Sequence, residues 1–583
     1  MAETPGATVL ACSNGALSMP DRPLRIVVLA VLLSLCGASA AGPPPATAQL
    51  APDTAARIDS VFEDLNRSDG PGCAVGVVRD GRLAYANGYG SSNLDYRRPI
   101  TPETNFYMAS VSKHAVAAAV LVAERKGLLS LDDPVRKWLG EFPDYGGRTI
   151  TIRHLIHQTS GLRDYLSLVS LADWRARWAR ETEDYLDLVY RQQGLNFEPG
   201  SDYGYSNTNY LLLAEVVGEA AGSSLREFAD ENLFQPLGMR DTHFHDDRTH
   251  VVRNRAVGYT RAERGYRMSH PWQWDQVGSG GWYANIADLA RWDRNFDTGD
   301  VGGEDFADRM TSRGRLTTGD TIDYAFGLNI AEYRGLPTVE HGGSFGGFRT
   351  FYRRFPGAGL STIVLCNVAS GNAVRRSSSV ADILLADRLT SEEGTGEPGE
   401  GDDGSETVSP DALERFAGDY RSPATRQYIA FRVDEEGLVL IGFGGEHPLR
   451  YLGSNRFKLI GVPAEWAFSG GETGRPKQVV HHYHGAETFR RVEIPSYGEA
   501  ELAAFDGRYH SDELGADYRM VARGDSLEVV VGTRAPETLS AGIRDEFRWG
   551  NAVIRFTRSG KGDVTGFRLS TDRARGVRFE RRP

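Results

Sequence analysis

The 583-residue chain is poor in cysteine, with four, and poor in positive charge, with 66 Lys and Arg against 78 Asp and Glu and a net charge of −12. Four cysteines are too few for a disulfide framework and lack the paired spacing of a zinc site. Cys12 and Cys36 fall in the first 48 residues, leaving Cys73 and Cys366 in apolar, β-like runs. Two buried, unpaired thiols are expected there, with a disulfide as the alternative. The acidic balance excludes phosphate-backbone binding, which needs clustered cations, so nucleic acid is not an expected partner. The N-terminal apolar run, 26–35, falls well short of the ~20 residues that span a bilayer, so no stable membrane span is expected. Arg22 and Arg25 precede that run and small residues follow it, at 37–41 and at Ala46-Thr47-Ala48. That is the layout of a secretory signal over 1–48, so a secreted or periplasmic protein is expected. Lipid anchoring through Cys36 is disfavoured, because Leu35 stands where a small residue is needed.

Composition is otherwise ordinary for globular protein, with 40% hydrophobic and 25% charged residues, and the length implies several domains. A mixed α+β domain is expected over 52–390. It opens with a hairpin around Asp80-Gly81 and continues with a buried, alanine-rich helix over 110–126. Thr151 caps a further helix that Gly161 closes, and Asn285 caps another; strand-like runs at 350–355 and 360–367 end the domain. The segment 391–408 is Gly, Glu, Ser and Asp with one Pro, which reads as a spacer. Beyond it, Leu413, Phe416, Gly418, Tyr420 and Ser422 recur as Leu502, Phe505, Gly507, Tyr509 and Ser511. Repetition with short alternating strands predicts two small antiparallel barrels, over 409–497 and 498–583.

Three stretches carry chemistry. Ser110 and Lys113 stand three residues apart at the start of the buried helix, so they share a face. Burial and the positive helix end both disfavour an ammonium there, which makes Lys113 a base toward the Ser110 hydroxyl. Tyr205-Ser206-Asn207 precedes a helix over 209–221; a tyrosine can relay a proton to a leaving group and an asparagine can hold a substrate carbonyl. His341-Gly342-Gly343-Ser344 lies on a strand edge, where glycines admit a substrate backbone and the Ser344 N–H joins that of Ser110 as an oxyanion hole. Each stretch alone also reads blandly, as a solvated helix start, a turn tyrosine with a capping asparagine, and a glycine-rich turn.

In this order the three stretches resemble the S-x-x-K, Y-x-N and K-T-G or H-x-G signatures of the serine β-lactamase, penicillin-binding-protein and esterase superfamily. The resemblance runs on through 150–162 and 280–289, over about 55–385. It implies an acyl-enzyme on Ser110, with Lys113 and Tyr205 handling its proton, Asn207, His341 and Gly343 lining the substrate site, and no cofactor or metal. His341 replaces a permanent cation with a mostly neutral group, which argues against an efficient β-lactamase. Two barrels behind an H-x-G domain look like D-aminopeptidases, so the expected reaction is hydrolysis of a small amide or ester. A D-amino-acid peptide is favoured, of D-aminopeptidase or DD-carboxypeptidase type, with a peptidoglycan-derived fragment as one source. A carboxylesterase or weak β-lactamase of the same fold is the alternative, and a penicillin- or peptidoglycan-binding sensor without turnover is the alternative of another class. Oligomeric state is left open.

Two chemical rivals use other residues. Gly342-Gly-Ser344-Phe-Gly346 matches the nucleophile elbow of α/β-hydrolases, but the following run alternates like a strand. His243-Phe-His245 with Asp246 and Asp247, and His481-His-Tyr-His484, offer metal ligands without the spacing that zinc sites require.

Overall fold

The computed structural model describes residues 49–174, 180–269, 275–390, 408–435, 437–442, 445–459, 464–471, 474–482 and 486–583. The signal segment 1–48, Cys36, His484 and all but the last residue of the spacer 391–408 lie outside them.

One antiparallel sheet anchors the first domain. Its strands are β1 (Cys73–Arg79), β2 (Arg82–Tyr89), β3 (Asn329–Tyr333), β4 (Leu336–Phe345), β5 (Phe348–Phe355) and β6 (Leu360–Cys366), arranged β3-β4-β5-β6-β1-β2. First and last segments of the domain therefore meet at its centre, β1 beside β6. Their continuous apolar runs are buried almost throughout, as expected of strands covered on both faces. The helices used below are α1 (Ser112–Arg125), α2 (Ile152–Ile156), α3 (Tyr165–Leu171), α4 (Thr182–Tyr190), α5 (Asn207–Ala221) and α6 (Ile286–Thr298). Every α1 residue from Ser112 to Ala123 is buried, and its run of alanines lets it pack closely on α5. Asn285 caps α6 by accepting from the Asp288 N–H, as its sequence suggests.

Two expectations need correction and a disfavoured rival is removed. Cys73 and Cys366 are disulfide-bonded, 293 residues apart in sequence but opposite one another in the β1–β6 register. Denatured without reductant, they should resist iodoacetamide and take it up only after reduction, a difference that peptide mass spectrometry reads directly. The helix capped by Thr151 ends at Ile156, well before Gly161. Gly161 has a φ of +75°, and a Cβ there would lie 2.1 Å from the Phe197 carbonyl oxygen; close approach of two loops, rather than helix termination, requires the glycine. Finally, β4 turns through Gly346 and Gly347 straight into antiparallel β5, so no helix follows Ser344 and the hydrolase elbow is ruled out.

Beyond the spacer stand two closed eight-stranded antiparallel barrels, with strands between Gly418 and Val492 and between Gly507 and Arg582. The repeated residues play matched parts in them. Phe416 and Tyr420 are buried in one core as Phe505 and Tyr509 are in the other, and each tyrosine hydroxyl donates to the carbonyl of its phenylalanine, at 3.1 and 2.8 Å.

The second barrel shares its core with the first domain. Leu168 and Leu171 of α3 and Leu188 of α4 pack among Leu514, Tyr518 and Val531. Tyr518 Oη donates to the Leu171 carbonyl at 2.7 Å. Beside this patch Arg163 and Glu513 form an ion pair at 2.6 Å, both side chains 4% exposed. The two barrels meet at Glu546, which is fully buried and accepts from Arg421 and Tyr428 of the first barrel. Among the described residues no helix is long and apolar enough to cross a membrane.

Candidate active site

Ser110 sits in a single 3-10 turn, Ala109–Val111, that leads into α1. Ala109 holds a φ of +48°, a left-handed conformation that costs energy for a residue with a side chain and that sets the course of the chain into Ser110. Lys113 follows in the first helical turn and is fully buried. Its Nζ lies 2.9 Å from Asn207 Oδ1, 2.8 Å from the Ser279 carbonyl oxygen and 3.2 Å from Ser110 Oγ. Desolvation holds the Lys113 ammonium well below the usual lysine range, opposed in part by Asp164 and aided by Arg573. A neutral amine has two N–H donors and one lone pair. When the amine is neutral and Asn207 and Ser279 accept its two N–H bonds, its lone pair faces the Ser110 hydroxyl.

Tyr205 closes the other side. Its hydroxyl is hydrogen-bonded to Ser110, and Lys113 Nζ stands 4.9 Å from its ring centroid. Burial pushes the phenol above its ordinary range, with the Ser110 contact opposing, so Tyr205 carries its proton at neutral pH. Opposite shifts on an amine and a phenol that share one hydroxyl suit them to different parts, the amine to accepting a proton and the phenol to supplying one.

Asn207 opens α5, and the stretch around it is fastened from 158–164. Gln158 Oε1 accepts from the Ser206 N–H at 2.9 Å, and Asp164 Oδ1 accepts from the Asn207 N–H at 2.6 Å. Thr208 Oγ1 donates to the Arg163 carbonyl at 2.7 Å. These bonds hold the Asn207 carbonyl oxygen on the lysine.

The third stretch lies along β4. Pairing with β3 ends at Glu340, so 341–345 has a strand partner only on the β5 side among the described residues. That leaves an open backbone edge beside the Ser110 turn, to which a substrate backbone can pair. His341 is buried, with Nδ1 2.8 Å from the Gly342 carbonyl oxygen and Nε2 3.4 Å from Tyr324 Oη. Donation by Nδ1–H leaves Nε2 as an acceptor from the tyrosine. Burial first, then the nearby Lys113, lowers the His341 pKa to about 3, so the ring is neutral across the physiological range. Gly343 is where the strand touches the nucleophile's turn: a Cβ there would lie 2.2 Å from Thr350 Oγ1 and 2.4 Å from the Met108 carbonyl oxygen. Thr350 Oγ1 also donates to that carbonyl, at 2.8 Å. Gly343→Ala is expected to push β4 off the turn and lower kcat at least about tenfold with the fold retained, read by steady-state kinetics beside circular dichroism. Ser344, next along, is exposed and pairs with Arg349.

Ser110, Lys113, Tyr205, Asn207, His341 and Gly343 thus converge, with Ser344 beside them. Ser279, Asp164, Tyr324 and Thr350 join them unannounced by any motif, and Gln158 joins them from within the 150–162 stretch, where no role was assigned to it. The histidine rival does not form a comparable site. His243 Nε2 lies 3.3 Å from His245 Nδ1, burial lowers their pKa values to about 3 and 4, and no three metal-ligating side chains converge among the described residues.

Similarity to known proteins follows this layout. A D-aminopeptidase of Cereibacter sphaeroides is 28% identical over 550 residues, covering 90% of this chain and 98% of that protein. A D-aminopeptidase of Brucella anthropi is 28% identical over 537 residues, 88% of this chain and 95% of its own length. Penicillin-binding protein 4* of Bacillus subtilis is 30% identical over 326 residues, 53% of this chain and 71% of its own. The octameric penicillin-binding protein homologue of Pyrococcus abyssi superposes with a TM-score of 0.52 at 22% identity, covering 75% of this chain and 99% of that one, which supports the fold. The family model described as Beta-lactamase matches residues 58–387, the span that holds the sheet, the buried helix and all three stretches around Ser110; the chain is a serine hydrolase of the β-lactamase family.

Proposed function

We propose that the protein is a secreted hydrolase that cleaves a small amide beside a D-amino acid through an acyl-enzyme on Ser110. The observation that carries this reading is the placement of Lys113: a buried amine, with two acceptor oxygens for its protons and its third direction toward Ser110 Oγ. As the hydroxyl attacks the substrate carbonyl, its proton passes to Lys113 Nζ. The backbone N–H groups of Ser110 and Ser344 receive the oxyanion, and Asn207 Nδ2 holds the substrate's amide carbonyl. Tyr205 protonates the departing nitrogen and is recharged from Lys113. Water, deprotonated along the same path, then releases the acid.

Two further observations favour this substrate and location. Similarity to the D-aminopeptidases continues through both barrels, and His341 puts a neutral ring where a β-lactamase relative would place a cation. The Cys73–Cys366 disulfide suits an oxidising compartment outside the cytoplasm. The test is a panel of D-alaninamide, L-alaninamide, a short-chain p-nitrophenyl ester and a chromogenic cephalosporin. The proposal expects the D-amide to exceed its enantiomer at least about tenfold in kcat/KM and the cephalosporin to be turned over poorly. Ester cleavage without any D-amide cleavage would replace it with the esterase reading, and covalent labelling without turnover would replace it with a sensor.

A further inference from the structure

The mouth of the site is completed from the far end of the chain. Between the second-barrel strands Val564–Ser570 and Val577–Arg582, the loop 571–576 reaches the first domain. Its backbone is fixed there by side chains and backbone next to the site. The Arg573 carbonyl accepts from the Asp164 N–H and from Asn196 Nδ2, each at 2.9 Å. The Arg575 N–H donates to Asn196 Oδ1 at 2.8 Å, and Arg163 Nε donates to the Arg575 carbonyl at 2.9 Å. Ala574 between them is fully buried.

The Arg573 side chain is not consumed by this anchoring. Its guanidinium carbon lies 5.0 Å from the Tyr205 ring centroid, on the tyrosine that contacts Ser110. Its ion pair with Asp572, at 3.7 Å, is loose, and both side chains are about half exposed. A water-accessible cation therefore sits over Tyr205, the residue proposed above to protonate the leaving group. His341 cannot supply one, since its pKa is lowered to about 3, and Lys113 is buried and already bonded to Ser110, Asn207 and Ser279. The Asp164 carboxylate, in the segment that binds this loop, is already engaged: Oδ1 accepts from the Asn207 N–H and Oδ2 from the Ser167 N–H.

We infer that Arg573 recognises a carboxylate on the leaving group, so that the preferred substrates are dipeptides with an N-terminal D-amino acid and a free α-carboxylate. The inference rests on the function proposed above. In such a dipeptide the carboxylate carbon is two bonds from the scissile nitrogen, the atom that Tyr205 protonates. The Ser110 Oγ–carbon bond forms, the carbon–nitrogen bond breaks, and the nitrogen leaves as the amine of an amino acid whose carboxylate Arg573 holds. Each further residue would carry the carboxylate about 3.3–3.6 Å away, so tripeptides lose the contact. Planar, bidentate pairing with carboxylate is what a guanidinium does well.

The probes are D-alanyl-glycine, D-alanyl-glycinamide and D-alanyl-glycyl-glycine, which differ only beyond the scissile bond. The full-length protein should favour the free dipeptide over its amide by ten- to a hundredfold in kcat/KM, mostly through KM, and over the tripeptide by a similar factor. Arg573→Gln should bring the acid-to-amide ratio close to one, and Arg573→Lys, which keeps the charge without the fork, should restore part of it. Reading a ratio cancels any loss common to both substrates. A wild-type ratio near one, or a preference that survives Arg573→Gln, overturns the inference while amide cleavage leaves the function standing. Cleavage of no D-alanyl compound overturns the function and the inference with it.

Discussion

Lys113→Ala is expected to lower kcat/KM by about 10²–10⁴-fold, the usual loss when a positioned general base is removed, without unfolding the protein. In the wild type the acid limb of the pH profile follows the same amine. Only the neutral form accepts the Ser110 proton, and burial holds the Lys113 pKa below the ordinary lysine value. Activity therefore rises as pH climbs through that lowered pKa and is already developed well below pH 10. His341, with a pKa of about 3, contributes no limb in the neutral range. The alkaline limb belongs to Tyr205, whose phenol is held above its ordinary range and must keep its proton to protonate the leaving group. Lys113→Ala should lose the acid limb as well as rate; a variant with reduced rate and an unchanged acid limb would assign the base elsewhere.

Glu513→Ala is expected to destabilise the protein by about 3–5 kcal/mol in chemical denaturation, because it leaves the Arg163 guanidinium buried without its counter-charge. The same carboxylate accepts from the Gln193 and Arg578 N–H groups at 2.9 and 2.8 Å, so three donors lose their partner together. Activity should fall too, since Arg163 precedes Asp164, and Asp164 links the barrel loop to Asn207 and so to Lys113. Replacing both partners with apolar residues of similar volume should recover part of the stability but not the activity. The shared core makes a related point about shortened chains. A chain ending near residue 390 would expose Leu168, Leu171 and Leu188 to water, so such a fragment would lose stability before it could reveal a change in specificity.

Sequence patterns carried much of this architecture, and the places where they stopped have physical reasons. Ser110, Lys113, Tyr205, Asn207 and His341 were legible because the chemistry needs those side chains at those spacings. Ser279 was not, because it contributes a backbone carbonyl, which any residue type can offer. Asp164 lies two residues past a stretch that resembles the family and Ser279 one residue before another, so proximity to a motif was the signal available. Arg573 had none: it lies 368 residues beyond the tyrosine it stacks on, and an arginine in a barrel loop is unremarked until two domains are docked. The disulfide has the same character. Two β-like runs place Cys73 and Cys366 in strands, but only the strand order β6-β1 makes them neighbours. The barrels were legible through repetition, because matched residues fill matched core positions.

Trapping the acyl-enzyme tests the part given to Ser110 most directly. The protein is mixed with excess D-alanine p-nitrophenyl ester, quenched in acid within the turnover time, digested and mapped by mass spectrometry. A D-alanyl adduct is expected on the peptide carrying Ser110, absent from Ser110→Ala and accumulating in a variant slowed at deacylation. An adduct on Ser344, or undiminished turnover by Ser110→Ala, would contradict it.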